Sequence, residues 1–265
     1  MKQFKENEIQ EYAGPLKKEQ IRFLEKTAAD GFRALEEMDY DGWELRFTQG
    51  FTGRANSVQI KEESTIELAQ KVDLCEKAYA EHGLPCTFKL TDADRDIISF
   101  LENRGYKAVK PTDVMLLALN SINTDHDVSE ISENVYFSTT PDGWFEPYFE
   151  FENMHDEIKQ ELTRKIHAKV SADQIYIRVM HKEKTAAIAS LAVENGYSLL
   201  HNVVVSPNLR GIGLGKKLCK AAILKSKECG ASYIFLQVMQ NNPIALSLYS
   251  KLGFEKQYTY YYVVK

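Results

Sequence analysis

The two halves of this sequence carry the same order of local structure signals at a nearly constant separation. A helical stripe of apolar residues ends at Gly83 in the first half and at Gly230 in the second, a separation of 147 residues (230 − 83). The segment FLENRGY ends at Tyr106 and LYSKLGF ends at Phe254, a separation of 148 residues (254 − 106). Two landmarks that agree within one residue predict a tandem duplication. The alternative, that any two helix–glycine–strand units look alike, is disfavoured because the intervening strand at residues 86–90 is also in step.

The second half gives the clearer prediction of a fold. Strand-like runs at residues 174–179 and 185–193 precede a third at 198–205, with an Asn-Gly turn before the third, and this order predicts an antiparallel meander. An amphipathic helix, a strand at 233–239, a second helix and a final strand at 258–264 follow. The predicted fold class is α/β (α+β), with two tandem domains that are each a mixed, mostly antiparallel sheet flanked by helices.

A linker is predicted between the two halves. Residues 120–134 are rich in Asn, Ser, Thr and Asp, which is typical of a connecting segment. We therefore place the first domain at residues 1–125 and the second at residues 126–265. The length of 265 residues agrees with two domains of roughly 150 residues or fewer.

Composition argues against several classes of protein. A net charge of −5 gives no general attraction to nucleic acid or anionic lipid. No apolar run approaches the roughly 18–20 residues of a membrane-spanning helix, and residues 1–20 lack the apolar core of a signal peptide, so we expect a cytoplasmic protein. The histidines form no HExxH motif, so no metal is expected. The cysteines form no CxxC pair and are expected to be reduced core thiols: Cys75, Cys86, Cys219 and Cys229.

Residues 210–215, RGIGLG, lie between a predicted strand and a predicted helix. Glycines let a backbone approach a ligand closely, and a helix start presents unpaired N–H groups and the positive end of its dipole. Arg210, Lys216 and Lys217 add positive charge, so the pattern predicts an anion site suited to a pyrophosphate. A dinucleotide fingerprint would need glycine at Lys216 and a Walker A loop would need glycine at Arg210, so neither motif is present. A tight connection without a ligand is the structural alternative.

Two segments of the second half resemble signatures of a known superfamily. VVVSPNLRGIGLG resembles the acyl-CoA-binding strand and loop of the GNAT (Gcn5-related) N-acetyltransferases, with the motif positions at Arg210, Gly213 and Gly215. NNPIALSLYSKLGF resembles the next GNAT signature, whose matched positions are Asn242, Ala245, Tyr249, Gly253 and Phe254. This resemblance extends over about residues 143–265. The first half, with DGWELRFTQGFTGRANSV near its start, resembles the leading domain of bacterial proteins with two GNAT folds in one chain.

The resemblance implies acetyl-CoA as the cosubstrate and assigns roles around it. The fourth strand of the fold would pair its free backbone groups with the pantetheine arm through Val203, Val204 and Val205. Next to Arg210, the pyrophosphate would be held by the backbone N–H groups of Gly211, Ile212, Gly213, Leu214, Gly215 and Lys216. Asn242 would lie near the pantetheine or the acceptor, although a role as helix N-cap explains it equally well. Tyr249 would donate a proton to the departing thiolate, and core packing is the alternative.

The general base is less clearly marked than the acid. Many relatives offer a glutamate on the fourth strand about where this chain has His201 or Asn202. His201 alternates with Val203 and Val205, so we expect it on their face, either as a base with a pKa near 6.5 or as a half-buried histidine satisfied by its neighbours. Direct transfer needs no covalent intermediate, so Cys219 is expected to pack in its helix and not to act as a nucleophile.

The first half lacks the loop chemistry of the second. The separation of 147 residues places Glu63 opposite Arg210, and bulky residues opposite the glycines, so a pyrophosphate would be repelled and blocked there. We expect one acyl-CoA site per chain and a first half that helps to shape the acceptor cleft. The residues that cluster where such a wall could be are Trp43, Arg46, Arg54, Asn56 and Ser57. Trp43, like Phe47, is expected in the core, whereas Arg46 and Arg54 are candidate acceptor ligands, with a structural ion pair or solvated surface as the alternative. Trp144 and Phe145 could roof the pocket or pack in the core.

The predicted function is therefore N-acetyl transfer from acetyl-CoA to a primary amine of a small molecule or peptide. The alternatives are an acyl-CoA sensor without catalysis and a protein whose halves are both structural. The internal duplication makes a monomer plausible and leaves a homodimer open.

Overall fold

The computed structural model describes residues 16–120 and 133–265 of the chain. The first half contains helices α1 (Lys18–Asp30), α2 (Leu68–Glu81) and α3 (Arg95–Asn103), and strands β1 (Glu36–Tyr40), β2 (Trp43–Phe47), β3 (Val58–Ile60), β4 (Thr87–Thr91) and β5 (Lys107–Ala118). The second half contains helices α4 (Phe145–Phe151), α5 (Glu157–Lys169), α6 (Leu214–Glu228) and α7 (Pro243–Lys251), and strands β6 (Val135–Ser138), β7 (Asp173–His181), β8 (Lys184–Glu194), β9 (Tyr197–Val205), β10 (Tyr233–Met239) and β11 (Glu255–Val264).

All described strands belong to one sheet, in the order β1-β2-β3-β4-β11-β5-β10-β9-β8-β7-β6. Neighbouring strands are antiparallel except for β3 with β4 and β9 with β10, which are parallel. The predicted α/β class is confirmed, including the β7–β8–β9 meander. The structure adds that the sheets of the two halves are joined edge to edge.

The two halves repeat the same order of elements. In each half an antiparallel meander leads to a helix, a parallel strand, a second helix and a final strand. The glycines that follow the matched helices share the left-handed conformation, with φ of +68° at Gly83 and +79° at Gly230, and of +88° at Gly105 and +90° at Gly253. Glycine adopts this conformation without steric cost, so the same residue ends the equivalent helices.

The final strands of the two halves are exchanged. β11 lies between β4 and β5, and β5 lies between β11 and β10. The neighbour of β4 is therefore a strand of the second half, and the neighbour of β10 is a strand of the first half. The predicted boundary between residues 125 and 126, and most of the predicted linker, fall outside the described residues, so the two domain ranges remain predictions.

The parallel strands of the second half pair over only part of their length. β9 and β10 are in register from Tyr197 with Tyr233 to Leu200 with Leu236, and they separate beyond that point. On one face of the sheet, α6 buries its apolar stripe in the main core of the second half. The split therefore opens a cleft in the centre of an otherwise well-packed sheet.

Three of the cysteines match the expectation of core thiols. Cys75, Cys86 and Cys219 are buried, but Cys229 is exposed because it caps the C-terminus of α6 at the surface, so the prediction is wrong for Cys229. Within residues 16–120 and 133–265, no group of three or more His, Cys, Asp or Glu residues is placed to hold a metal ion. No helix in these ranges has the length and apolar character that crossing a membrane requires.

Candidate active site

A cleft of about 520 Å³ lies where β9 and β10 separate. Its floor is formed by the ends of these two strands, from Leu199 to Val204 and from Leu236 to Met239. Asn242 and Tyr249 of the last signature line the same cleft. The structure therefore brings together residues that are about 40 positions apart in the sequence, as the motif spacing predicts.

A β-bulge in β9 shapes this floor. Val204 pairs with Ile188 and His201 pairs with Ser190, so Asn202 and Val203 together lie opposite a single residue of β8. Asn202 adopts φ +54°, a conformation that a non-glycine residue rarely takes and that is frequent next to functional sites.

The bulge reverses the predicted facing of His201. Val203 and Val205 pack against the core under α6, whereas the His201 ring lies on the opposite face, stacked on His167 with ring centroids 6.0 Å apart. The expectation that His201 shares the face of Val203 and Val205 is wrong, because one extra residue in the strand shifts the alternation by one position. Val204 points to the same side as His201 and packs in the aromatic cluster around Trp144.

The protonation of His201 also differs from expectation. Burial lowers the pKa of His201 well below its usual value, and the neighbouring His167 and Arg54 lower it further, so a pKa near 6.5 is not observed. Burial and then Arg54 lower the pKa of His167 to about 4. Both rings are neutral at physiological pH, and a base with so low a pKa is weak.

The side-chain amide of Asn202 links the two histidines and Ser190. It lies 3.4 Å from His201 Nδ1, 3.3 Å from His167 Nε2 and 3.1 Å from Ser190 Oγ. The amide has two N–H groups for these three atoms. Nε2 of His201 is buried and has no hydrogen-bond partner among the described residues. His201 therefore presents an unpaired ring nitrogen that a ligand could satisfy.

The glycine loop has the geometry of an anion site. Gly211 and Gly213 adopt φ of +83° and +90°, and a side chain at either position would meet nothing within 4 Å. The first helical bond of α6 runs from Lys217 N–H to the Gly213 carbonyl at 3.0 Å, so the preceding amides have no acceptor within the helix. Arg210 and Lys216 are exposed beside them. Lys217 instead donates to the carbonyl of Glu133.

The remaining residues of the loop and strand have simple structural positions. Ile212 is 58% exposed at the tip of the loop, whereas Leu214 is buried under the start of α6. A side chain at Gly215 would lie 3.6 Å from both Leu248 and Val205, which is ordinary contact distance. The close approach of a ligand to the backbone of this loop thus depends on Gly211 and Gly213 more than on Gly215.

Asn242 and Tyr249 lie on α7 at the other side of the cleft. The Asn242 side-chain oxygen accepts a hydrogen bond from Ala245 N–H at 3.1 Å, which is the predicted N-cap. Tyr249 is 7% exposed, packs edge to face on Phe254, and still lines the cleft. Burial raises the pKa of Tyr249, so its phenol is protonated at neutral pH. It can therefore act as a proton donor but not as a base.

The first half supplies one wall of the cleft. Thr52, Gly53 and Arg54 line it from the loop before β3, and Lys110 and Thr112 line it from the exchanged strand β5. The Arg54 guanidinium lies over the Phe32 ring, with Cζ 3.9 Å from the ring centroid. The structure thus places Arg54 in the predicted wall, and its role as an acceptor ligand stays a prediction.

Arg46 is not in the wall. Its side chain is fully buried, donates to the carbonyls of Ala29 and Phe32 at 3.1 and 2.7 Å, and lies 3.7 Å from the carboxylate of Glu44. The structural alternative is therefore correct for Arg46, because the guanidinium joins α1 to the meander of the first half.

The other residues expected near the acceptor are also structural. Trp43 and Ser57 are buried, and Asn56 accepts hydrogen bonds from Thr48 N–H and Gly50 N–H. Trp144 donates from Nε1 to the carbonyl of Ala189 at 2.9 Å and packs in the core with Phe145. Neither aromatic residue lines the cleft, so of the two alternatives core packing is the correct one.

Sequence reasoning missed several residues of the cleft, including Lys110 and Thr112 of β5. Tyr148 follows Trp144 by one helical turn and stacks on it, and it faces the cleft together with Glu152. Tyr260 and Tyr262 reach the cleft from β11. The alternation of these tyrosines along the strand indicates that they share one face of the sheet. Their position in the cleft of the second half depends on the strand exchange.

The equivalent helix start in the first half carries a carboxylate in place of a glycine loop. β3 and β4 pair at Val58 with Phe88 and at Gln59 with Lys89. The carboxylate of Glu67 caps α2 by accepting from Ala69 N–H, where the second half has its glycine loop. A negative side chain at this helix start opposes the binding of a phosphate, in line with one acyl-CoA site per chain.

The model of the family described as probable histone acetyltransferase Rv0428c C-terminal matches residues 18–263. The chain belongs to this family. The chain is also similar to an uncharacterised N-acetyltransferase, YobR of Bacillus subtilis. The two sequences are 28% identical over 254 residues, which cover 92% of this chain and 98% of the relative.

Two solved structures have a similar fold. A GCN5-related N-acetyltransferase from Kribbella flavida superposes with a TM-score of 0.69 at 14% identity, over 92% of this chain and 95% of the other. A tandem GNAT protein from the clavulanic acid biosynthesis pathway superposes with a TM-score of 0.64 at 14% identity, over 91% and 87%. Together with the family match, these confirm the predicted GNAT superfamily and support acetyl transfer as the general activity.

Proposed function

We propose that the second half transfers an acetyl group from acetyl-CoA to a primary amine, directly and within a ternary complex. The observation that carries this proposal is the end of β9–β10 pairing at Leu200 and Leu236, which opens a cleft beside the end of β9, the strand that leads into the glycine loop. A free strand edge beside a cluster of unpaired amides suits a ligand with a long amide-containing arm and a diphosphate.

Acetyl-CoA would be bound by backbone more than by side chains. The amides of Gly211 to Lys216 would take the pyrophosphate, with Arg210 and Lys216 as exposed counter-charges. The edge of β9 at Val203, Val204 and Val205, which does not pair with β10, would take the pantetheine amides. Asn242 keeps its side-chain oxygen on Ala245, so any contribution to ligand binding comes from its place in the cleft lining.

The chemistry requires one bond to form and one to break. The neutral amine attacks the thioester carbonyl, the C–N bond forms, the C–S bond breaks, and the thiolate takes a proton while the amine loses one. A backbone N–H of the free β9 edge would stabilise the charge on the carbonyl oxygen. Tyr249 would donate to the thiolate, because its phenol is protonated and lines the cleft.

His201 remains a candidate for contact with the acceptor. Its low pKa favours a hydrogen bond from the neutral ring to the acceptor over the role of base. The acceptor would then lose its proton to water or to bulk buffer through the open side of the cleft.

The test is a measurement of free-thiol release from acetyl-CoA by the purified protein with a panel of amines, together with the mass of the acetylated product. We expect release of thiol with at least one amine, and loss of release in Gly213→Glu. Binding of CoA in the absence of thiol release from any amine would favour the sensor alternative. An unchanged melting temperature with CoA and acetyl-CoA would favour a structural role for both halves, because a ligand at 100 times its Kd stabilises by about 2.7 kcal/mol.

A further inference from the structure

Arg54 is exceptional among the arginines of the first half. Within residues 16–120, the other arginines each form an ion pair with a carboxylate: Arg22, Arg33, Arg46, Arg95 and Arg104. Arg54 forms none among the described residues, although it is partly buried. Its guanidinium plane is held against Phe32, which leaves the N–H groups at its edge free for a ligand in the cleft.

Lys110 is the second cation of the same wall. Tyr260 pairs with Thr112 and Tyr262 pairs with Val109, so Lys110 and Pro111 form a bulge opposite Tyr261. Lys110 has φ +52°, an unfavourable backbone conformation for a lysine. Bulges next to active sites often redirect a side chain. Lys110 is exposed, lines the cleft and has no carboxylate partner in the described part of the chain.

A third polar group lies close to Arg54. The Phe32 ring that supports Arg54 also contacts the edge of His201, with ring centroids 6.2 Å apart. The buried Nε2 of His201 has no hydrogen-bond partner among the described residues, so a polar atom of a ligand could pair with it.

The charge of the cleft is opposite to that of the whole chain. Its lining contains the cations of Arg54 and Lys110 and one carboxylate, that of Glu152, whereas the chain carries a net charge of −5. A polyamine or a lysine-rich tail would meet repulsion at this wall. An amine that also bears an anion would be attracted, and the positive wall would lower the pKa of its ammonium group and favour the neutral nucleophile.

We propose that the acceptor is an amine that also carries a carboxylate or a phosphate, and that Arg54 and Lys110 bind this anionic group. The inference rests on the proposed acetyl transfer in the β9–β10 cleft. It names the substrate class of that site: an amino acid, a peptide with a carboxylate near the amine, or a phosphorylated amine.

The first test measures binding of the anionic group alone. With CoA saturating, so that the glycine loop is blocked, calorimetry is run with N-acetylglycine, its neutral amide N-acetylglycinamide, and inorganic phosphate. We expect at least one of the two anions to bind. If the carboxylate is the recognised group, N-acetylglycinamide should bind at least about tenfold more weakly than N-acetylglycine. Arg54→Gln should reduce the affinity for the anion about tenfold or more. The two anions distinguish a carboxylate site from a phosphate site.

Three variants separate charge from fold. Arg54→Lys keeps the charge and should retain part of the affinity, and Lys110→Gln should weaken the anion without unfolding an exposed position. Lys107→Gln changes an exposed lysine at the start of the same strand, outside the cleft, and should leave binding unchanged. Absence of anion binding to the wild type, or equal binding in Arg54→Gln and the wild type, overturns the inference.

The second test compares kcat/KM for amines in matched pairs, each amino acid against its amide and each amino-sugar phosphate against the free sugar. The anionic member should be preferred by about tenfold or more, and Arg54→Gln should remove the preference by raising KM. Acetylation of amines without regard to the anion overturns this inference and leaves the proposed function intact. Arg54-dependent anion binding without acetylation of any amine overturns the proposed function and leaves the anion site intact.

Discussion

The imidazole rings of His167 and His201 are stacked at 6.0 Å with only 9° between their planes, directly behind the bulge of β9. Both rings are buried, and Asn202 contacts one nitrogen of each. Two stacked imidazoles cannot both carry charge in this environment without a large cost. The pair therefore makes the floor of the cleft sensitive to acid.

We expect the stability of the protein to fall as the pH drops from about 6.5 toward 4. The folded-state pKa of both histidines is lowered, to about 4 for His167, so the unfolded chain binds protons in this range while the folded chain does not. Each histidine contributes a loss of about 1.4 kcal/mol per pH unit in this window. Urea unfolding between pH 4.5 and 7.5 measures the slope, and His167→Gln should reduce it; an identical slope in that variant would contradict the assignment.

Gly213→Glu should reduce the affinity for CoA by more than about 100-fold, because the carboxylate would lie where the diphosphate is expected. Gly230→Glu is a matched control, since Gly230 has φ +79° and equally open surroundings at the other end of α6. Both variants carry similar backbone strain, of about 1 kcal/mol or more. Calorimetric titration with CoA should show loss of binding in the first variant alone, and equal losses would attribute the effect to strain.

Tyr249→Phe should lower kcat by about 10²-fold or more and leave the Kd of CoA nearly unchanged, because the ring keeps its packing on Phe254 and loses only the donor. Since burial raises the pKa of Tyr249, the wild-type rate should show no fall from phenol ionisation up to pH 10. Steady-state thiol release with separate CoA titrations gives both quantities. Full activity in the variant would assign Tyr249 to the core.

The ratio of wild-type to His201→Asn rates should be constant between pH 6 and 8. His201 is already neutral over this range, because burial lowers its pKa well below the usual value. A ratio that changes with a midpoint near pH 6.5 would identify His201 as a titrating base and contradict its neutral state over this range. The measurement needs kcat/KM at several pH values with one amine, at saturating acetyl-CoA.

Local signals were enough to predict the elements of the second half from β7 to β11. The Asn-Gly turn, the cap at Asn242 and the glycine loop each act through neighbouring residues, so their structural consequences can be derived from short segments. The strand predicted at 233–239 matches β10, and the strand predicted at 258–264 lies within β11.

Features that depend on distant partners could not be predicted in the same way. Residues 107–118 and 255–264 are both regular strands, and nothing in their patterns states which half each will border. The bulge at Asn202 places a residue other than glycine in the left-handed conformation. The alternation of His201, Val203 and Val205 predicts a regular strand instead and gives no sign of the bulge. Tyr260 and Lys110 meet in the cleft only because of that exchange.

The exchange of β5 and β11 makes the sheet of the second half depend on the first half. A chain cut down to its second half would lack the neighbour of β10, together with Lys110 and Arg54, and would expose the edge of β10 to water. The first half therefore cannot be removed without taking a strand from the sheet of the second.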